Sequence, residues 1–236
     1  MSMASGYPPD ETKVWRYMSY ARFVWLLQKK QLWLSRVDCL GDPWELTLAG
    51  DQLNHVISTA PISPVGELPR ELPRLRSERV IKEWRQKTYV SCWSAQEHES
   101  HALWRIYCPN SEGVAIQTTL AKLHFSAGDL PTFQVQYVTP GSSKKTPTLA
   151  DLATSKRPMF AYEHEVRILH VCDDDAPTFP AGFGQPWNPE QYVESIWVHP
   201  EADQAFMDTV TATVATYAPT LNEKVAWSAM NAKPPF

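Results

Sequence analysis

Residues 89–119 read YVSCWSAQEHESHALWRIYCPNSEGVAIQTT, and their pattern decides the fold class. Tyr89–Trp93 is rich in β-formers and reads as a strand. A polar turn follows, then a short helix carrying Trp104, Arg105 and Tyr107. Gly113–Thr119 reads as a second strand. The turn holds Glu99-Ser100 between His98 and His101. Aromatics, an arginine and a serine–glutamate pair beside a strand end suit a small-molecule pocket. The same aromatics also suit core packing, because buried Trp and Tyr need a polar partner for N–H or O–H. Both readings stand at this point.

Outward from this segment, strands and helices intersperse. Val14–Met18 alternates and predicts a strand, Ala21–Lys30 a helix ending in lysines, and Gln31–Val37 another strand. A turn over Cys39–Trp44 leads to Glu45. Ala60–Pro73 is a Pro-rich loop, and Leu75–Gln86 a charged helix. Residues 139–148 form a polar loop, followed by a short helix within Leu149–Lys156. Glu165–Val171 predicts a strand, Asp173–Pro189 a loop, Tyr192–Val198 a strand and Glu201–Tyr217 a helix. Leu221–Ser228 is a last strand or a tail. Residues 1–12 read as disordered, and the remainder, 13–236, as one α/β or α+β domain without internal repeats.

The 43% hydrophobic and 20% charged residues are those of a globular protein, and a net charge of -4 gives no prior for nucleic acid or acidic membranes. A local basic stretch does occur at Arg70–Arg85. Four scattered cysteines, no secretory leader and no long apolar run predict a cytoplasmic protein with reduced thiols and no membrane partner. Of the ten tryptophans, Trp15, Trp25, Trp33, Trp93 and Trp197 lie in apolar segments and read as core. Trp44, Trp104 and Trp187 flank charged or turn residues and read as pocket candidates.

Three groups could carry chemistry. Arg16, beside Tyr17 on the first strand, is costly to bury without an anion and suits a clamp on phosphate or carboxylate. Alternatively it lies on an edge, in solvent. Arg36, with Asp38, Asp42 and Glu45, surrounds the Gly41-Asp42-Pro43 turn, which needs at most an Asp cap. In Glu163-His164-Glu165-Val166-Arg167, a period of two places Glu163, Glu165 and Arg167 on one strand face. Crowded carboxylates raise one pKa, as acid/base and sugar sites require. They could equally form a solvated face neutralised by Arg167. His98, His101, Cys92 and Cys108 match no zinc spacing, so no metal is expected. A metal nuclease built on Asp42, Glu45, Glu163 and Glu165 lacks the usual carboxylate-x-lysine pairing.

WRYMS (15–19), LWLSRVDCLGDPWE (32–45), SCWSAQEHESHALWRIY (91–107), GVAI (113–116) and YEHEVRI (162–168) together resemble the bacterial domain of unknown function 2971 family. The resemblance preserves motif order over most of the chain, and Lys156 looks like that family's lysine. The order of arginine, serine-bearing strand and E-x-E further resembles the plan of ADP-ribosyltransferases. That likeness implies an α+β single domain with a central mixed, mostly antiparallel split sheet flanked by helices. It implies NAD as substrate and ADP-ribose transfer to a protein or nucleic acid, in a toxin or phage-defence effector. Arg16 would hold an NAD phosphate or ribose, and Ser91 or Ser94 the nicotinamide ribose. Glu165 would be the catalytic carboxylate and Glu163 would assist the nucleophile. Trp93, Trp104 or Tyr107 would stack on nicotinamide, with Tyr17, Arg36, Glu99, Ser100 and Arg167 completing the binding set. Cys92-Trp93 between the two serines departs from the usual serine-threonine-serine run. The plan needs Arg16 and Glu165 on one cleft; opposite sides of the sheet would defeat it. The alternative from a different class is a non-catalytic domain that senses a nucleotide or a partner.

Overall fold

The structure, a computed structural model, describes residues 7–47, 72–139, 148–172 and 180–232. The expected loops at 60–71, 140–147 and 173–179, and residues 1–6, lie outside that set. The chain is mixed α+β, with a mostly antiparallel central sheet flanked by helices. Its first half runs β1 (Lys13–Ser19), α1 (Tyr20–Lys29), β2 (Gln31–Arg36), α2 (Leu72–Lys87), β3 (Thr88–Ala95), α3 (His101–Tyr107) and β4 (Gly113–Thr119). Then come α4 (Leu120–Ser126), β5 (Thr132–Gln134), β6 (Gln136–Tyr137), α5 (Leu149–Ala153), β7 (Ser155–Lys156) and β8 (Glu165–Val171). The last elements are β9 (Gly182–Pro186), α6 (Pro189–Tyr192), β10 (Ser195–Val198), α7 (Gln204–Tyr217) and β11 (Val225–Trp227).

The sheet forks at β3. One edge of β3 runs beside β8 without interruption, from Thr88↔Val171 to Ser94↔Glu165. The other edge is shared: β2 takes Tyr89 and Val90, and β1 takes Ser94 and Ala95. Beyond the fork β1 leads to β4, β10 and β11, while β2 leads to β9. Each branch strand has a full partner on its far side, β4 for β1 and β9 for β2. They can therefore splay without losing ladder hydrogen bonds, and the edge of Ser91–Trp93 is left facing the gap.

Hydrophobic residues pack both faces of the forked sheet. Val14, Met18, Trp93, Val166 and Ile168 pack beneath α1 (Phe23, Leu26, Leu27) and α7 (Met207, Val210, Val214). On the other face Trp15 and Tyr17 pack with Leu103 and Trp104 of α3, and Val90 and Leu169 with Leu152 of α5. Gly113 allows α3 to approach β4, because a Cβ there would collide with the Cys108 side chain.

Three expectations need correction. Residues 7–12 are tied down, since Leu120 and Ala121 donate backbone N–H to the carbonyls of Thr12 and Asp10. The expected loop before Pro189 contains β9, whose small residues pass against Trp33 and Gln31 of β2. Its Gly182-Phe183-Gly184 run carries no alternation to reveal a strand. Tyr192 belongs to α6, so β10 starts at Ser195.

Candidate active site

A cavity of about 120 Å³, open to solvent, occupies the fork; it is smaller than the ~300–1,000 Å³ typical of small-molecule sites. Arg16, Arg22, Ser94, Tyr107, Glu163 and Glu165 are among its lining residues. Arg16 crosses the gap between the branches. It donates to Ser91 Oγ at 2.8 Å and to the Trp33 carbonyl at 2.9 Å, with Trp93 5.8 Å beneath the guanidinium. Both acceptors are neutral, and among the described residues no carboxylate pairs with Arg16. The side chain keeps some exposed surface, yet burial dominates and lowers its pKa to about 10. Nearby Arg22 pushes the same way. A charge held in this environment without a counter-ion is costly unless a ligand supplies one.

The opposite wall is built from the start of β8. A 3₁₀ turn over Pro158–Glu163 ends with His164 in the left-handed region (φ 44°), which redirects the chain into the strand. Ser94 Oγ donates to the Glu163 carbonyl at 2.7 Å, and the Glu165 N–H donates to Tyr137 OH at 2.8 Å. Lys156 Nζ lies 2.5 Å from Glu163, 3.2 Å from Glu165 and 3.6 Å from Glu45. Arg167, with no exposed surface, donates from Nε to Glu165 at 2.8 Å and from both terminal nitrogens to Glu45 at 2.8 and 2.7 Å.

Three carboxylates thus share two cations. The two that face the cavity are driven apart. Burial pushes Glu165 up, but Arg167 and Lys156 outweigh it and hold its pKa down at about 2. Glu163 is raised, because burial and the Glu165 charge exceed what it receives from a lysine divided among three acids. Lys156 itself is desolvated but held charged by Glu165, Glu163 and Glu45. Separated pKa values in adjacent carboxylates are the arrangement by which one acid exchanges protons while its neighbour stays ionised.

This arrangement predicts an acid transition. A folded pKa below the unfolded one contributes stability that is present above pH 4.5 and lost as pH falls toward 2. For Glu165 that amounts to about 3 kcal/mol, at ~1.4 kcal/mol per unit. Glu163 contributes with the opposite sign, its share being lost as pH rises through its raised value. Urea midpoints measured from pH 6 down to pH 2 should therefore fall most steeply below pH 4.5; a flat series would contradict the pairing.

The structure brings some of the expected residues together and sets others aside. Tyr17, Trp93, Ser94, Tyr107, Glu163 and Glu165 line the cavity with Arg16. Register places Trp15, Ser94 and Glu165 on one sheet face and Arg16, Ser91 and Trp93 on the other. Arg16 and Glu165 thus leave opposite faces of the sheet, the arrangement that counts against the transferase plan, although both line one cavity. The gap between β1 and β2 opens beside Arg16, while β3 runs between Arg16 and Glu165; the cavity is lined by residues of all these strands. Ser91 serves Arg16, not the cavity directly. Glu163 precedes the strand, so only Glu165 and Arg167 share its face.

Several assignments are corrected. Trp104 is fully buried under β1, edge-on to Tyr17 at 5.0 Å, and Trp187 is also buried; neither lines the cavity. Ser100 caps α3, accepting from Leu103 N, and its own N–H donates to Tyr17 OH. Glu99 accepts from Trp104 Nε1 (2.9 Å), Ser228 Oγ (2.6 Å) and Ala229 N (2.8 Å), tying the C-terminal segment to α3. Glu99→Ala should cost about 2 kcal/mol in urea unfolding by stranding these donors, with ligand affinity at the cavity unchanged. Arg36 pairs with Asp38 at 2.6 Å, away from the cavity. Arg167 stands behind Glu165 as a support. Asp42 is held by Arg157 at 2.8 Å, and Glu45, Glu163 and Glu165 of the metal-nuclease alternative share Lys156 and Arg167. Glu45 stood out in the sequence as a charge its turn does not require, and Lys156 as the lysine of the resembled family, but neither was expected to meet Arg167, Glu163 and Glu165 in one cluster.

No family model and no curated protein matches the chain. Among solved structures it is similar to Thermus sp. 2.9 DarT in complex with ADP-ribosylated ssDNA, at 12% identity and a TM-score of 0.43. The similarity covers 93% of this chain and 95% of the other. A likeness of that size leaves the chemistry to be decided by the residues at the fork.

Proposed function

We propose that the fork cavity binds NAD and that the protein is an ADP-ribosyltransferase-like enzyme. It would break the nicotinamide–ribose bond and transfer ADP-ribose to a macromolecular acceptor. One observation carries this reading. A guanidinium without a counter-ion lines the same cavity as two carboxylates of divergent pKa. A dinucleotide has the complementary chemistry, with anionic phosphates at one end and ribose hydroxyls at the other. Arg16, helped by Arg22, would take the phosphates. Trp93 and Tyr107 supply aromatic surface for a ring.

In the reaction the ribose C1′–nitrogen bond breaks and its electron pair leaves with nicotinamide, which becomes neutral. Positive charge develops on the ribose, as in glycoside cleavage. Glu165, ionised at every physiological pH, would stabilise it through the ribose hydroxyls. The acceptor's nucleophile forms the new bond to C1′, and its proton passes to Glu163. Lys156, hydrogen-bonded to both carboxylates, fixes their separation.

The test is ligand binding. ADP-ribose should raise the melting temperature of the wild-type protein. Arg16→Met should weaken ADP-ribose binding at least about tenfold through loss of charge-assisted hydrogen bonds. Equal affinity in that variant would remove the phosphate site. A second reading is favoured by the close pairing of Glu165 with Arg167 and Lys156. In that reading the cavity binds a nucleotide without chemistry, and ADP-ribose stabilises the protein while NAD is never consumed.

A further inference from the structure

Glu45 does not line the cavity, is 2% exposed, and yet carries the charge that leaves the buried cluster unbalanced. We propose that Glu45 is the positioning residue of this site: by filling the far side of the Arg167 guanidinium it fixes Glu165, and by its charge it keeps the cavity wall one carboxylate in excess. This role rests on the reading of Glu163 and Glu165 as the reacting carboxylates.

The geometry is that of a rigid spacer. Arg167 makes five hydrogen bonds, matching its five N–H donors. Nε and Nη2 reach Glu165, Nη1 and Nη2 reach Glu45, and Nη1 also reaches the Ala153 carbonyl at 2.6 Å. A planar guanidinium saturated in this way cannot rotate, so the position of Glu165 is set from behind by Glu45. Glu45 is itself anchored. Arg85 donates to the Glu45 carbonyl from Nε at 2.8 Å and from Nη2 at 2.6 Å, and also to the Pro43 carbonyl and to Thr47 Oγ1. Upstream, Asp42 is clamped by Arg157, which lies 5.7 Å over the Trp44 ring. Immediately after Glu45 the chain passes through a left-handed Leu46 (φ 50°), a strained geometry for a branched residue that persists only where surroundings impose it. Anchoring on both sides exceeds what a passive salt bridge needs.

The charge count gives the second half of the role. Without Glu45, two carboxylates would face two cations and the buried set would be neutral, which is the cheaper arrangement. With it, Lys156 is divided among three acids and Glu163 receives less of it. The groups facing Glu163 are Lys156 of β7, Glu165 and Arg167 of β8, Tyr107 of α3, Tyr137 of β6 and its neighbour Tyr162. The three tyrosines have raised pKa values and are neutral near pH 7. Glu45 thus competes with Glu163 for Lys156, adding to the burial and the Glu165 charge that already raise Glu163.

The experiment is a carboxyl-carbon NMR titration of Glu163, assigned by its disappearance in Glu163→Gln, in wild type, Glu45→Gln and Glu45→Asp. Glu45→Gln keeps the shape and removes the charge. It should move the Glu163 titration down by about 1 unit and lower kcat for nicotinamide release with KM retained. Glu45→Asp keeps the charge but retracts the fork from Arg167. It should leave the titration in place while kcat still falls, and it provides the second reading if Glu45→Gln does not fold. An unmoved Glu163 titration in Glu45→Gln, or wild-type kcat in Glu45→Asp, overturns the proposal. A titration shift in a protein that never consumes NAD keeps the role of Glu45 and overturns only the reaction.

Discussion

Replacing Arg167 with leucine should unfold the protein or bring it close to unfolding at pH 7. The substitution leaves Glu45, Glu163 and Glu165 buried with Lys156 as their one remaining cation in the cluster. Removing one partner of a buried ion pair costs about 3–5 kcal/mol, against a total stability of ~5–15 kcal/mol for a domain. Here two carboxylates lose their main partner together, so the upper end of that range applies. The loss also has a pH signature. Protonating the stranded acids relieves it, so the variant should be more stable near pH 5 than near pH 7, opposite to the wild-type trend at the acidic end. Urea unfolding at the two pH values measures both effects. A melting temperature within a few degrees of wild type at pH 7 would show that Arg167 is not the keystone of the cluster.

Glu165→Gln is the second large effect, and it falls on activity. Removing this charge leaves two carboxylates and two cations, so the buried set becomes neutral instead of more unbalanced. The variant should stay folded, less stable by an amount on the order of 3 kcal/mol given the depressed pKa of about 2. Nicotinamide release should fall about 10²–10⁴-fold, the range for losing a charge that acts on the transition state. ADP-ribose affinity, set by Arg16 and Arg22 across the cavity, should change much less. The contrast between the two variants follows from counting charges: Arg167→Leu unbalances the set and Glu165→Gln balances it. Undiminished turnover in folded Glu165→Gln would remove Glu165 from the mechanism.

How far these residues could be read from sequence depended on whether their signal was local. β1, β2, β3, β4 and β8 announce themselves by alternation or β-branched runs, and α1 by its apolar spacing, because local periodicity encodes burial. β9 does not, since glycines stand where the strand passes against Trp33. Arg16 stood out because a charge on a strand is costly to bury, and the two glutamates because crowded carboxylates repel. Their joint placement depends on which strand edges pair, which no single segment contains. Glu45 and Lys156 were named from the sequence, but their shared cluster was hidden for the same reason. Each lies in a turn or at a short strand, where a charged residue is ordinary, and their meaning comes from Arg167, 122 residues from Glu45 in sequence. Glu99 and Ser100 misled in the other direction. A Glu-Ser pair in a turn looks like a ligand set, but it caps a helix and clasps the C-terminal segment.

Free nicotinamide, quantified by mass spectrometry after incubating the purified protein with NAD and mixed protein and nucleic-acid acceptors, tests the central claim most directly. The account predicts release that rises with time and with protein concentration, accompanied by ADP-ribose on one acceptor class, and lost in Glu165→Gln. Intact NAD after prolonged incubation with every acceptor, in a protein that still binds ADP-ribose, would contradict it and leave the fork as a binding site alone.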